Sequence, residues 1–274
     1  MDLKAFKMDG LGNDFVIFDN RKEIIHLDKN SIIKIANRNF IGCDQLIFIN
    51  KSNKYDAELD FYNSDGGKSS ACGNGTRCIA YLIAKEKNKK EIIVKTQSGI
   101  LKSKILKNNI VETNIGVPKF DWKEIPLTKK IDNKNLGITI SDFDGINLTG
   151  GYAVNVGNPH LIFFVKKNDN YNLLKIGPEL ENHSIFPEKC NITLAEVKNK
   201  KLIKVKVWER GAGLTKACGT AACATAVAGL QMKLTENEVN IQFELGVITI
   251  TIDEDKSINM KGQVSEVKKI NIKI

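Results

Sequence analysis

The most reactive side chains of this 274-residue chain are six cysteines, at positions 43, 72, 78, 190, 218 and 223. Two of them share a context. In ACGNGTRC (71–78) and ACGTAAC (217–223), Cys72 precedes Gly73-Asn74 and Cys218 precedes Gly219-Thr220, and each motif leads into an apolar run, CIAYLIAKEK or CATAVAGLQMK. That pattern puts each thiol at a helix N-terminus, beside backbone N–H groups that have no intrahelical acceptor. Such amides favour negative charge. The spacing therefore predicts thiols with a lowered pKa, and amides able to hold a substrate carboxylate or a developing oxyanion. Cys43, Cys78, Cys190 and Cys223 read as small buried hydrophobes. The spacings Cys72-x5-Cys78 and Cys218-x4-Cys223 do not match the short knuckles of structural zinc sites, so no metal site is expected. A chain of this size without an export signal needs no disulfide framework, and free thiols are expected.

The two motifs belong to an internal repeat. LGNDFVIFD (Gly12, Asn13) is answered by VGNPHLIFF (Gly157, Asn158), LDFYNSDG (Tyr62, Asn63) by VKVWERGAG (Trp208, Glu209), Cys72 by Cys218, and QSGILKSKI (Gly99) by ELGVITITI (Gly246), at a nearly constant offset of about 146 residues. Four segments in one order indicate duplication, and the period is too long for a solenoid. Two homologous domains related by an approximate two-fold axis would bring Cys72 and Cys218 to opposite walls of one cleft. A thiolate and a thiol so opposed suit a two-base stereoinversion, in which one removes a proton from carbon and the other delivers a proton to the opposite face. The α-proton of an amino acid is very weakly acidic, so the carbanion needs either pyridoxal phosphate or a preorganised electrostatic site. The sequence has no recognisable site for that cofactor, and two helix N-termini offer the cofactor-free solution.

The elements that position these thiols are legible from periodicity. EIIVKTQSGILKSKI, IKVKVW and VITITI read as strands with antiparallel signals. The runs after the two cysteine motifs are apolar around most of their circumference, as enclosed helices are. The expected fold is α+β, with two pseudo-symmetric domains, each a largely antiparallel sheet wrapped around a buried central helix, and the active-site cleft between them. Pro118 and Pro126 mark 116–136 as the crossing, giving an N-terminal domain of 1–117 plus 263–274 and a C-terminal domain of 118–262.

Composition narrows the function classes. With 42% hydrophobic and 27% charged residues the chain can bury a sizeable core, which excludes disorder and fibrous repeats. No apolar run reaches the length of a membrane span and no secretory signal is read, so a cytoplasmic enzyme is expected. The net charge of +9 raises nucleic acid as a partner, but only Arg21, Arg38, Arg77 and Arg210 are arginines. The remaining cations are lysines interleaved with Asp, Glu and Asn and without aromatic platforms, which reads as a solvated surface and not as a nucleic-acid interface.

Taken in order, KMDGLGNDFVIFD (7–19), GCDQL (42–46), FYNSDG with ACGNGTRC (61–78), NVGNPH (155–160), FPEKCNI (186–192) and VWERGAGLTKACGTAAC (207–223) resemble the diaminopimelate epimerase family over essentially the whole chain. The resemblance implies cofactor-independent interconversion of LL- and meso-2,6-diaminopimelate, in lysine and peptidoglycan-precursor biosynthesis, with Cys72 and Cys218 as the paired acid and base. It implies substrate contacts from Asn13, Gln45, Asn63, Gly73, Asn74, Asn158, Asn191, Glu209, Arg210, Gly219 and Thr220, with His160 and Glu209 tuning the thiol pKa values. A substrate with an amino-acid head at each end needs carboxylate clamps and ammonium acceptors at both, and Arg210 is the natural fork for the distal carboxylate. His26 and His183 read as structural or exposed.

Three positions depart from the family pattern. Asp9 stands where His is frequent, Ala221 where Gly is frequent, and Lys268 where a Tyr associated with dimer packing can occur, the last bearing on the expectation of a homodimer. Two other readings remain. A racemase of the proline racemase group would share opposed cysteines but has no use for the asparagine-rich distal set, and a non-enzymatic basic binding module would bury both thiols in the core.

Overall fold

Apolar residues on both faces of short strands dictate the layout of each half. The computed structural model describes residues 2–69, 72–141 and 147–274. Residues 1, 70, 71 and 142–146 lie outside the described residues, and Ala71, which opens the first cysteine motif, is among them. The chain divides into two compact units, Met1–Asn114 with Lys261–Ile274, and Ile115–Met260.

The first unit runs β1 (Asp2–Gly10), β2 (Asn13–Asp19), α1 (Lys29–Ala36), β3 (Gln45–Asn50), β4 (Ala57–Asn63), β5 (Lys68–Ser69), α2 (Gly73–Lys87), β6 (Glu91–Thr96), β7 (Gly99–Ile105) and β8 (Ile110–Gly116). Leu11 and Gly12, with φ of 61° and 79°, make the two-residue turn that pairs Gly10 with Asn13 and starts β2 at Asn13. In β2, Phe15 and Ile17 pack with the α2 residues Cys78, Ile79 and Ile83. The alternate residues Val16 and Phe18 pack with Ile32 and Ile35 of α1. β3 alternates likewise, Ile47 and Ile49 toward α2 and Leu46 and Phe48 toward α1. This two-sided burial explains why both strands read as continuous apolar runs. α1 starts where Asp28 Oδ1 accepts from Ser31 N at 2.8 Å. α2 is buried from Gly73 through Ala84 and ends at Asn88 in the left-handed conformation, φ 50°.

The second unit repeats the order. After the short antiparallel pair β9 (Ile138–Ser141) and β10 (Asn147–Gly150) come β11 (Tyr152–Asn155), β12 (Pro159–Phe164), α3 (Leu173–Glu181), β13 (Asn191–Asn199), β14 (Leu202–Glu209), β15 (Gly213–Thr215), α4 (Gly219–Gln231), β16 (Glu238–Phe243), β17 (Gly246–Ile252) and β18 (Ile258–Gln263). Leu161 and Phe163 of β12 pack with Leu173, Ile176 and Leu180 of α3, and the preceding segment adds Ile125, Leu127 and Leu136 to that core. α4 packs on β11, β12, β13, β16 and β17.

Both units are largely antiparallel sheets around one buried helix, and each also carries two parallel pairs that periodicity alone did not predict. These are β2 with β3 and β4 with β6 in the first unit, and β12 with β13 and β14 with β16 in the second. Each joins strands whose connection contains a helix, and a connection of that length returns the chain in the same direction. The outer helices α1 and α3, a second layer absent from the expected scheme, are those connections in two of the four cases. β19 (Lys268–Lys273) closes the first unit by pairing antiparallel with β1, Asp2 opposite Lys273 and Lys7 opposite Lys268.

Candidate active site

Strand register alone sets where the expected site residues lie in each unit. Asn13 opens β2, Gln45 opens β3 directly opposite Asn63 at the end of β4, and Cys72 caps α2. In the second unit Asn191 opens β13 opposite the end of β14, where Glu209 lies, and Cys218 caps α4. Asn13 and Asn158, Gln45 and Asn191, Asn63 and Glu209, and Cys72 and Cys218 are thus repeat equivalents, all at strand ends or helix starts.

In the first unit, Cys72 has the extended φ/ψ of an N-cap, −142° and 116°, and its Sγ accepts from Gly75 N at 3.4 Å. The close seating of that turn needs glycine at 75, because a Cβ there would lie 2.7 Å from Ile47 Cδ1 and 3.0 Å from Phe61 Cε1. The Cys72 thiol donates to Asn13 Oδ1 at 3.6 Å, which also accepts from Asn74 Nδ2 at 3.3 Å. Asn74 is 1% exposed, and its own Oδ1 accepts from Arg77 Nη2 at 2.8 Å. Gln45 and Asn63 form a separate pair, Nε2 to Oδ1 at 2.8 Å, and Gln45 Oε1 is buried without a hydrogen-bond partner. Asn13 Nδ2 donates to Asp44 Oδ2 at 2.7 Å. Asp44 was not among the expected site residues, although it lies inside GCDQL.

In the second unit, Cys218 is also an N-cap, with φ −140° and ψ 117°, and Sγ lies 3.4 Å from Thr220 Oγ1. Its thiol is buried. Burial, with the adjoining Glu209 carboxylate second, pushes its pKa well above the ordinary thiol value, which corrects the expectation of a lowered pKa there. The Thr220 hydroxyl and the Ala221 amide act in the expected direction, but desolvation of a thiolate is the larger effect.

His160 occupies the core position that Phe15 holds in the first repeat, and it is fully buried. Burial first, and the nearby Arg210 charge second, push its pKa down to about 3, so it is a neutral imidazole. Its Nε2 bonds Asn158 Oδ1 at 2.9 Å, and Nδ1 has no hydrogen-bond partner. Asn191 bridges two segments, donating from Nδ2 to Pro159 O at 3.0 Å and accepting from Arg210 N at 3.0 Å. The Arg210 guanidinium donates to Glu188 O at 2.7 Å.

Glu181, at the end of α3, was also missed by the sequence reading. Its carboxylate accepts from Trp208 Nε1 at 2.7 Å and from Gly211 N at 3.1 Å, so it holds both flanks of Glu209-Arg210. Among the described residues, no group of three or more His, Cys, Asp or Glu could hold a metal ion, all six cysteines are thiols, and no helix is long and apolar enough to cross a membrane.

The sequence model of the diaminopimelate epimerase family matches residues 5–120 and 152–267. A diaminopimelate epimerase of Pelagibacter ubique is 62% identical over 274 residues, covering all of both chains. The chain belongs to the diaminopimelate epimerase family. A second family member, from Sphingopyxis alaskensis, is 38% identical over 95% of this chain and 94% of its own. Among solved structures, a probable proline racemase from Agrobacterium radiobacter superposes with a TM-score of 0.72 at 10% identity, over 99% of this chain and 93% of its own. A phenazine biosynthesis protein of the PhzF family from Bacillus anthracis superposes with a TM-score of 0.70 at 18% identity over the whole of both chains. At such identities the likeness shows the fold alone. Like the family model, the secondary structure falls into two corresponding halves, one cysteine N-cap in each.

Proposed function

We propose that this chain interconverts LL- and meso-diaminopimelate without a cofactor, Cys72 and Cys218 serving as the two bases. One thiolate takes the α-proton, the electron pair stays on the α-carbon beside the carboxylate, and the other thiol supplies a proton to the opposite face. The new thiolate is left on the second cysteine, so the reverse reaction uses the same groups in exchanged roles. In the direction where Cys72 is the base, Cys218 enters as the thiol, the form that burial and Glu209 favour.

The observation that carries this reading is that the two repeat-equivalent cysteines each occupy the N-cap position of a helix, in a chain 62% identical to a diaminopimelate epimerase. Amides at the starts of α2 and α4 (Gly73, Asn74, Gly219, Thr220) would hold the reacting carboxylate as charge builds on it. Asn13, Gln45, Asn63, Asn158, Asn191, Glu209 and Arg210 would bind the remaining polar groups, and His160, neutral, would orient Asn158. A cytoplasmic location, a role in lysine and peptidoglycan-precursor synthesis and a homodimer complete the reading; cell fractionation, rescue of a lysine-requiring strain and light scattering test them.

The deciding experiment is proton NMR of LL-diaminopimelate in deuterium oxide with reduced enzyme and no pyridoxal phosphate. Loss of the α-proton signal with appearance of the meso isomer is expected, and neither in Cys72→Ala or Cys218→Ala. Turnover retained in either variant would end the two-base assignment. Absence of exchange in folded, reduced wild type would end the substrate assignment.

A further inference from the structure

A carboxylate can only accept hydrogen bonds, and an asparagine amide has one accepting and one donating end. The partner at one end of an asparagine therefore decides what the other end offers. Asp44 is held from three sides. Its Oδ1 accepts from Arg38 Nη2 at 2.5 Å, its Oδ2 accepts from Asp14 N at 3.1 Å, and its backbone N–H donates to Asp14 O at 3.0 Å. The same Oδ2 accepts from Asn13 Nδ2 at 2.7 Å. With one N–H of its NH2 group donated to Asp44, the Asn13 amide is oriented so that Oδ1 faces Cys72 Sγ at 3.6 Å and Asn74 Nδ2 at 3.3 Å.

We propose that Asp44 is a positioning residue for epimerisation, fixing the Asn13 amide so that its oxygen, and not its NH2 group, meets the Cys72 sulfur. The proposal rests on the reading of Cys72 as a catalytic base. An oxygen there accepts from the thiol, while Gly75 N on the same sulfur favours the thiolate. Cys72 thus lies between one group that holds its proton and one that holds its charge, as a residue that alternates between base and acid requires. A turned amide would put two N–H donors on the sulfur and favour the thiolate throughout. The repeat-equivalent Asn158 is tied at its other end, Oδ1 to His160 Nε2, so the duplicated asparagines are oriented by different means.

The test measures iodoacetamide alkylation of Cys72 in the full-length protein, by peptide mass spectrometry at pH 7, alongside kcat and KM for diaminopimelate. Asp44→Asn, which lets the amide turn, is expected to accelerate Cys72 alkylation by roughly 3-fold or more and to lower kcat more than it raises KM. In an Asn13→Ala background the same substitution should change the alkylation rate by less than about 1.5-fold, because the coupling runs through the amide. Asp14→Asn removes a charge that pairs with Lys7 and Arg38 but keeps an oxygen to accept from Asp44 N, as Asp14 Oδ1 does at 3.1 Å, and it leaves the Asp44–Asn13 bond in place, so it should leave Cys72 near the wild-type rate. Asp44→Glu, which keeps an acceptor, should also stay near wild type, and should Asp44→Asn fail to fold, Asp44→Ser, whose shorter side chain withdraws the carboxylate from Asn13 Nδ2, takes its place with the same expected acceleration. Equal acceleration in Asp14→Asn, an undiminished effect in the Asn13→Ala background, or acceleration in Asp44→Glu would overturn the proposal. Alkylation needs no substrate. Wild type that alkylates as expected but turns over no diaminopimelate would count against the activity alone, and the alkylation rates would still decide the role of Asp44.

Discussion

Trp208 Nε1 donates to Glu181 Oε2 at 2.7 Å, tying the end of β14 to the last turn of α3. The other oxygen of that carboxylate accepts from Gly211 N at 3.1 Å, so one buried side chain sets the path of Glu209 and Arg210. Replacing Glu181 by Ala leaves an indole and a backbone donor without their acceptor, at a cost of about 1–3 kcal/mol. We expect a fall of that size in the unfolding free energy from urea titration and a loss of about 10-fold in kcat/KM, while Glu181→Gln, which keeps one acceptor, recovers part of both. An Ala variant as active as wild type would remove Glu181 from the positioning of Arg210.

α3 meets the same indole from above. A Cβ added at Gly177 would lie 2.4 Å from Trp208 Cδ2 and 2.6 Å from Cε3, too near for the ring to stay. Gly177→Ala should therefore destabilise the fold by about 1–3 kcal/mol through overpacking. Combining it with Trp208→Leu, which shortens the offending side chain, should recover much of that loss. Denaturant titration of the two single variants and the double variant checks this.

Glu209 raises the Cys218 pKa, second only to burial. Glu209→Gln removes that charge, so the Cys218 thiolate fraction should rise and iodoacetamide should label this cysteine several-fold faster at pH 8, even as epimerisation falls by 10-fold or more. Peptide mapping of both cysteines provides the check, and unchanged labelling of Cys218 would count against the coupling.

His160 contributes an acid-sensitive element of stability. Its folded pKa is about 3, below the model-peptide value of about 6.5. Between those values the unfolded chain binds a proton that the folded chain refuses, so stability is full above about pH 6.5 and falls as pH drops toward 3, by at most about 1.4 kcal/mol per pH unit from this residue. The melting temperature of wild type should decline over that window more steeply than that of His160→Gln. Parallel curves would show that burial of His160 does not carry the effect.

What the sequence disclosed is explained by where its signals lie. Cys72 and Cys218 were readable as helix caps because Gly-Asn and Gly-Thr before an enclosed apolar run form a local pattern, and the duplication was readable because spacing survives divergence. The parallel pairs β2–β3 and β4–β6 were not, since strand direction depends on the length and content of a connection and leaves no mark on the strand's own periodicity. Asp44 and Glu181 act through a partner distant in sequence, and a carboxylate bound to an indole or an amide looks like any surface acid in a string of letters. The rise in the Cys218 pKa had the same origin: the helix start is local, but burial belongs to the packed unit.

The pairing of Asp2–Lys7 with Lys268–Lys273 sets an order of assembly. During synthesis, all of Ile115–Met260 emerges while the first unit still lacks β19. The unit begun first is therefore the last to finish, and β1 must wait through some 250 residues of translation with one edge unpaired. In sequence the later unit is nested between the two parts of the earlier one. Chaperone capture or aggregation of nascent chains should accordingly concentrate on that waiting strand, and disappear once Ile272, buried in the core beside Leu3 and Val16, has left the ribosome.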